Sequence, residues 1–210
     1  MTVAYLEAVL RSGIAELELT AADAQIEQLL AFVRLLAKWN RAYNLTSIDR
    51  PEDMVRLHLL DSLAILPFLR GKRILDVGTG AGLPGILLAI LDADREFVLL
   101  DSNSKKTRFV TQAGIELGLR HVAVQHARVE QFRPAVGFDT VLCRAFASLD
   151  EILAMTRRLL SPDGVLLAMK GKLQAEELSD LEPGVQAQIH ALEVPGLDAE
   201  RHVVAITVRG

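Results

Sequence analysis

The sequence predicts an α/β protein: a seven-stranded, mostly parallel sheet closed by an antiparallel C-terminal hairpin and preceded by a helical cap. Three observations carry this expectation. Before Gly71 every apolar periodicity is helical. From residue 73 onward short apolar runs alternate with helical segments, the pattern of a parallel sheet with crossover helices. The last two runs are joined by only 195-PGLDAER-201, too short for a helical crossover, so they must pair antiparallel. The change of pattern places the boundary so that 1–70 is an N-terminal extension packed on a main domain at 71–210.

The elements follow in order. A short helix is expected near residues 3–11. A long amphipathic helix spans 20–43, with Thr20 as its N-cap and Ile26, Leu29, Leu30, Val33, Leu36 and Ala37 along one face. After 44-NLTSIDR-50, Pro51 occupies a first helical position, Glu52 and Asp53 suit the positive end of the helix dipole, and apolar periodicity runs to Pro67. The strands are 73-RILDV-77, 96-EFVLLD-101, 122-VAVQH-126, 138-FDTVLC-143, 164-GVLLAMK-170, 186-QAQIHALEV-194 and 202-HVVAITV-208. Near-continuous apolar runs such as 97–100 and 165–169 suit a sheet covered on both faces.

At 210 residues, half of them apolar, the chain can bury one substantial core. No apolar run approaches the roughly 18 residues that would cross a bilayer, and an N-terminus with Glu7 and no basic segment is unlike a signal peptide, so a cytoplasmic protein is expected. The single cysteine, Cys143, excludes an internal disulfide and reads as a small buried hydrophobe; no metal site is expected. Net charge is −4, yet residues 34–73 carry eight bases against four acids and 101–172 carry eleven against seven. Arg34, Lys38 and Arg41 recur at helical spacing, and Lys105, Lys106 and Arg108 cluster near a helix start. These segments are either solvated faces or a surface that tracks phosphates.

The segment 74-ILDVGTGAGLPG-85 concentrates glycine where backbone must turn sharply or approach a ligand. From Gly80 it matches the dinucleotide pattern G-x-G-x-x-G. Pro84, however, removes an amide that a pyrophosphate would use, and Asp76 at the strand tip repels phosphate but attracts a cation. S-adenosylmethionine is such a cation. Asp101, at the end of the next strand, suits a ribose under either cofactor.

Seven segments, 39-WNRAYNLTSI-48, 58-HLLDSL-63, 76-DVGTGAGLPGI-86, 101-DSNSKKTRF-109, 128-RVEQF-132, 143-CRAFASL-149 and 170-KG-171, stand in the order of one family. They resemble the bacterial small-subunit rRNA guanine-N7 methyltransferases, also called the glucose-inhibited division protein B family. The resemblance implies the class I S-adenosylmethionine-dependent methyltransferase fold, Rossmann-like, with a helical cap. It implies methyl transfer from S-adenosylmethionine, leaving S-adenosyl-L-homocysteine, to N7 of a single guanine in the decoding-site loop of 16S rRNA. The partner would be that rRNA or the small ribosomal subunit, with no membrane and no obligatory protein partner, the enzyme acting as a monomer. By position, Asp76, Gly78 and Gly80 would hold the methionine end with Leu83 beside it; Asp101 would take the ribose, Val129 and Glu130 the adenine edge, and Arg144 would border the cofactor. The chain departs from the family where Leu57, rather than a base, precedes His58, where Cys143 replaces a common serine, and at Lys172.

Guanine N7 has an in-plane lone pair and no proton, so this chemistry needs alignment and no acid or base, and none is assigned. Cys143 lacks the preceding proline of a cytosine-C5 nucleophile, and 143-CRAF-146 lacks the loop that serves exocyclic amines. His58 and Asp61, three apart, read as a hydrogen-bonded pair locking the cap to the sheet, with contact to the substrate as the alternative and no catalytic role. Arg144 and Lys170 end strands at the ligand-binding edge and are candidates for RNA contact, as are Lys105 and Lys106. Asn44 and Thr46 either cap a helix or sit over the mouth of the site. Phe146 and Phe109 are candidates to stack on an extruded base or are core; Trp39 and Tyr43 are expected to pack the cap. Two other readings stand beside this one: an NAD-dependent oxidoreductase, and a methyltransferase-fold protein that binds without turnover.

Overall fold

The structure, a computed structural model, describes residues 2–144, 147–173, 176–179, 181–182 and 184–208. Two long helices, α1 (Val3–Glu16) and α2 (Asp23–Tyr43), open the chain. Next, α3 (Pro51–Met54) runs through a π-helical stretch (Val55–Leu60) into α4 (Asp61–Leu63). The remaining order is β1 (Arg73–Val77), α5 (Gly85–Leu91), β2 (Glu96–Asp101), α6 (Ser104–Glu116), β3 (Val122–His126), β4 (Phe138–Arg144), α7 (Leu149–Thr156), β5 (Leu160–Lys170), α8 (Glu176–Ser179), β6 (Val185–Ala191) and β7 (His202–Val208).

All seven expected strands form one sheet in the order β3-β2-β1-β4-β5-β7-β6. β1 to β5 are parallel, and β7 runs antiparallel between β5 and β6. The winding direction reverses between β1 and β4, and at such a point the loops at the carboxyl edge part to leave a crevice. Strand positions alternate between two buried layers, as a sheet covered on both sides requires. Ile74, Leu99, Leu142 and Leu167 pack against the cap, α5 and α6; Leu75, Leu100, Val141 and Leu166 pack against α7. The cap and the sheet therefore share one core, with Leu10, Leu36 and Leu59 in the same apolar cluster as Ile74. β3 and β6, at the sheet edges, alternate between partly buried and exposed positions.

Three helical details differ from expectation. First, α1 continues to Glu16 instead of ending near residue 11. A Cβ on Gly13 would lie 2.4 Å from Leu60 Cδ1, so this weak helix former is where α1 closes onto the π-helical stretch, and packing overrides propensity. Second, Thr20 is exposed and does not cap α2; the cap position is Ala22. The Ala22 amide donates to Gln25 Oε1 (2.8 Å), and Gln25 Nε2 donates to Ile90 O (3.0 Å), which ties the start of α2 to the end of α5. Third, Phe109 is core, against Phe32 (6.0 Å between centroids) and Trp39 (5.7 Å), but Tyr43 only stacks on Trp39 and remains 43% exposed. Gln28 reaches Leu117 O at the far end of α6, so α2 and α6 run antiparallel and the end of α2 lies toward the start of α6.

Candidate cofactor and acceptor site

The loop after β1 is shaped by three glycines with left-handed backbone, Gly78 (φ 70°), Gly80 (φ 61°) and Gly82 (φ 81°). Such values strain any residue with a side chain. The amides of Gly78 and Thr79 donate to Leu100 O (2.8 and 3.1 Å), which ties the loop to β2. The Gly80 amide donates to Asp101 Oδ2 (2.9 Å), and Asp101 Oδ1 accepts from the Asn103 amide (2.8 Å). Each carboxylate oxygen of Asp101 keeps a second acceptor position.

Asp76 is 1% exposed. Its Oδ2 accepts from Thr79 Oγ1 (2.6 Å) and from the Gly85 amide (2.9 Å), so it caps the N-terminus of α5. Gly85 has no room for more: a Cβ would lie 2.2 Å from Leu99 Cδ2 and 2.7 Å from Asp76 Oδ2. The other oxygen, Oδ1, is buried without a partner. Burial pushes this carboxyl up to about 6, against the lowering pull of the Thr79 and Gly85 hydrogen bonds and then of Arg144. A bound cation would supply what Oδ1 lacks. A dinucleotide would not, because the helix amide that a pyrophosphate needs is already held by a carboxylate.

Two cavities lie on either side of the β4 tip. One, of about 430 Å³, is lined by Gly78, Asp101, Lys106, Val129, Glu130 and Cys143 among others. Val129 and Glu130 enter it from a single 3₁₀ turn, Val129–Gln131, and α7 closes its floor with Met155 and Thr156. Its size suits a nucleoside. A Cβ on Gly80 would meet only Gly78 O at 3.8 Å and Lys106 Nζ at 4.0 Å, so protein leaves the loop open there. The second cavity, of about 330 Å³, gathers Asp61, Arg144, Lys170, Arg201 and His202.

The structure brings Gly78, Asp101, Val129 and Glu130 together around the first cavity. Asp76 lies behind its wall, and Leu83 is buried in the core under the cap. Arg144 opens into the second cavity, close enough to Asp76 and His58 to shift both. Lys170 Nζ donates to Ala147 O (2.9 Å) and pairs with Glu177, so its charge is largely neutralised within the chain. Lys106, expected at the RNA, lines the first cavity, whereas Lys105 is exposed beside it. Asn44 is exposed and ends α2 with φ 50°. Phe146 lies outside the described residues.

His58 and Asp61 are not bonded to each other. His58 Nδ1 faces Leu57 O (3.1 Å), which can only accept, so Nδ1 carries the proton and Nε2 accepts from Thr46 Oγ1 (2.8 Å). Burial, then the charge of Arg144, pulls the ring down to about 4, so it is neutral at pH 7 with both nitrogens engaged. Asp61 Oδ1 instead accepts from Arg201 Nε (2.8 Å), next to β7. Cap and sheet are thus locked as expected, but through Arg201, 140 residues away, a partner that helical spacing could not reveal. Burial pushes the Cys143 thiol up to about 12, which removes it as a nucleophile. Among the described residues no three His, Cys, Asp or Glu side chains gather to hold a metal, and no helix is long and apolar enough to cross a membrane.

The fold recurs in a SAM-dependent methyltransferase from Aquifex aeolicus (TM-score 0.58, 18% identity, 79% of this chain and 97% of that one). It recurs also in one from Thiobacillus denitrificans solved with S-adenosyl-L-homocysteine (TM-score 0.55, 14% identity, 84% and 98%). At the sequence level, the ribosomal RNA small subunit methyltransferase G of Methylococcus capsulatus is 54% identical over 202 residues, covering 96% of this chain and 98% of the relative. That of Nitrosococcus oceani is 48% identical over 204 residues, covering 97% and 95%. The family model described as GidB, rRNA small subunit methyltransferase G, matches residues 25–204. With a glycine cradle backed by a buried carboxylate, and relatives of this identity along nearly its whole length, the chain belongs to the GidB family of rRNA small subunit methyltransferases.

Proposed function

We propose that this enzyme transfers the methyl group of S-adenosylmethionine to N7 of a single guanine in the decoding-site loop of 16S rRNA. The observation that carries the reading is Asp76, which caps α5 with one oxygen and keeps the other buried and unpartnered. Such a group suits a cationic methyl donor and opposes a diphosphate. When bound, S-adenosylmethionine supplies an electrophilic methyl on a positively charged sulfur. Asp76, Gly78 and Gly80 hold its amino-acid end, with Leu83 packed behind them in the core. Asp101 offers its spare acceptor positions to the ribose hydroxyls, and Val129 and Glu130 face the adenine.

The neutral, fully engaged His58 and the protonated Cys143 supply no base, and N7 requires none. The protein's contribution is therefore alignment, worth up to roughly 7–11 kcal/mol for an in-line displacement. Arg144, beside the β4 tip, and the lysines of the α6 start, Lys105 and Lys106, are placed to meet RNA, with Asn44 toward the same end of α6. The basic face of α2 presents Arg34, Lys38 and Arg41 to solvent, as a phosphate-tracking surface requires. The chain acts as a cytoplasmic monomer on the small subunit.

Two measurements test the reading. Calorimetric titration is expected to show binding of S-adenosylmethionine and none of NAD(H); the reverse would install the oxidoreductase reading. Small subunits lacking the modification, incubated with methyl-labelled cofactor, are expected to carry label at one guanine of their 16S rRNA. Cofactor binding with unlabelled rRNA would instead make the chain a binder without turnover.

A further inference from the structure

Within this reading, the second cavity holds a donor and an acceptor that the alignment of the cofactor leaves unused. Asp61 is 4% exposed, and only its Oδ1 is taken, by Arg201 Nε at 2.8 Å. Oδ2 has no hydrogen-bond partner among the described residues, and Asp61 lines the 330 Å³ cavity. Across that cavity Arg144, at the end of β4, makes no hydrogen bond or ion pair among the described residues. The other two cations there are already occupied, Arg201 by Asp61 and Lys170 by Glu177. A carboxylate oxygen and a guanidinium, each without a hydrogen bond among the described residues, thus stand in the lining of one cavity, next to the side of the site where Asp76 lies. A structural lock between cap and sheet, made by Asp61 Oδ1 and Arg201, needs neither Oδ2 nor Arg144.

We infer that Asp61 is the residue that selects guanine, accepting from N1–H and the N2 amino group of the acceptor base while Arg144 donates to O6. Guanine offers an acceptor beside two donors along this edge, which matches a cation beside a carboxylate. Adenine offers the inverse, an amino donor against Arg144 and a lone pair against Asp61, and both contacts are repulsive. N7 adjoins O6, so an Arg144 contact to O6 turns N7 toward the β4 tip and the cofactor side. The reaction adds a second reason for a carboxylate. The N7 lone pair forms the new bond to carbon, the carbon–sulfur pair stays on sulfur as a neutral thioether, and no proton moves. The positive charge therefore passes from sulfur to the purine, where N1–H and N2–H become stronger donors to Asp61 as the transfer proceeds.

The test uses the full-length enzyme and small subunits whose 16S rRNA carries guanine or inosine at the acceptor position; inosine lacks only the N2 amino group. For the wild type, inosine is expected to lower kcat/KM by about 10- to 100-fold, the loss that follows when one of the two donors to a charged acceptor is removed and N1–H alone remains. Asp61→Asn is expected to fall at least ~10-fold on guanine and to treat the two substrates within about threefold, with S-adenosylmethionine affinity unchanged. If Asp61→Asn does not fold, Asp61→Glu serves the same comparison, because moving the charge by one methylene should also shrink the discrimination. Equal wild-type rates on guanine and inosine, or full discrimination retained in the variant that folds, would overturn the assignment. Absence of wild-type transfer to guanine-bearing subunits would instead strike the parent reading.

Discussion

The two cavities beside β4 are built by different means. The cofactor side is a backbone device: three left-handed glycines, a loop held by Leu100 O and Asp101, and a helix end capped by a carboxylate, most of it within residues 76–85. The acceptor side is a side-chain device that draws Asp61 from α4, Arg144 from β4, Lys170 from β5 and Arg201 from the residue before β7. A backbone device tolerates almost no change of residue, since φ values near 60–80° and a 2.2 Å clearance at Gly85 exclude other side chains. A side-chain device can be altered one group at a time, and there substrate selection can be tuned without disturbing the donor site.

The sharpest way to break the contrast is Asp76→Asn, which keeps the shape and removes the charge. Loss of a buried charge that a cation must meet is expected to weaken S-adenosylmethionine binding by at least ~100-fold, read by calorimetry. The apo protein should gain stability from the same change. Its carboxyl is pushed up from 3.8 to about 6, which at about 1.36 kcal/mol per unit makes the ionised form cost up to about 3 kcal/mol at neutral pH. A variant that loses cofactor and also melts lower would show that Asp76 is a scaffold residue and no more.

Acidity separates the two sides next. Asp76, raised in the folded state, is least destabilising below pH 3.8, and its penalty grows as pH rises through about 6. His58, on the side of Arg144 and held down at about 4 from 6.5, does the opposite: its contribution is complete above pH 6.5 and is lost as pH falls toward 4. Across pH 4–6 the two slopes oppose each other. Relative to the wild type, denaturant titrations of His58→Gln should therefore show stability falling less, or rising, as pH drops from about 6 toward about 4.5, because the opposing slope of His58 is gone. Cofactor affinity follows Asp76 only, increasing about tenfold per pH unit below 6 and flattening above about 7. A flat affinity profile over pH 5–7 would remove the carboxylate from the binding step.

The same division explains what was legible in the sequence. Local rules found every strand, because alternating apolar runs are set by neighbours in the chain, and they found the glycine loop, because its strain must be met where it occurs. Gly78, Asp101, Val129 and Glu130 could be carried over by position, and they line one cavity. The long-range partners were not legible. Nothing near Asp61 points to Arg201, the cap of α2 is fixed by Gln25 reaching Ile90, and α1 outruns its own propensity because Gly13 fits against Leu60. Lys106 was legible as a basic residue, but its side chain lies along the cofactor cavity, a placement that depends on how α6 packs.

A smaller effect sharpens the acceptor side. Arg144 is unpaired among the described residues, while Lys170 is held by Glu177 and Ala147 O. Arg144→Ala is expected to lower methyl transfer by roughly 10- to 100-fold with little change in melting temperature, as for loss of one charge-assisted contact to substrate. Lys170→Ala is expected to do the reverse. It leaves Glu177 without its cation and costs about 1–3 kcal/mol of stability, with a smaller effect on rate. If Lys170→Ala proves as slow as Arg144→Ala while folding normally, the ion pair opens in the complex and both cations meet RNA.

The smallest effect concerns Asn44, exposed at the end of α2 with φ 50°. Glycine adopts this conformation without the steric cost that any Cβ carries, so Asn44→Gly should leave stability within about 0.5 kcal/mol of the wild type or slightly above it. The fold is then a constant in the experiment, and any change in kinetics reports on the side chain itself. A contact to rRNA predicts a severalfold rise in KM for the small subunit with kcat and cofactor affinity unchanged, the signature of binding lost equally from ground and transition states. An unchanged KM would leave Asn44 as the C-cap of α2 alone and would confine the acceptor side to the residues of the second cavity and the lysines of α6.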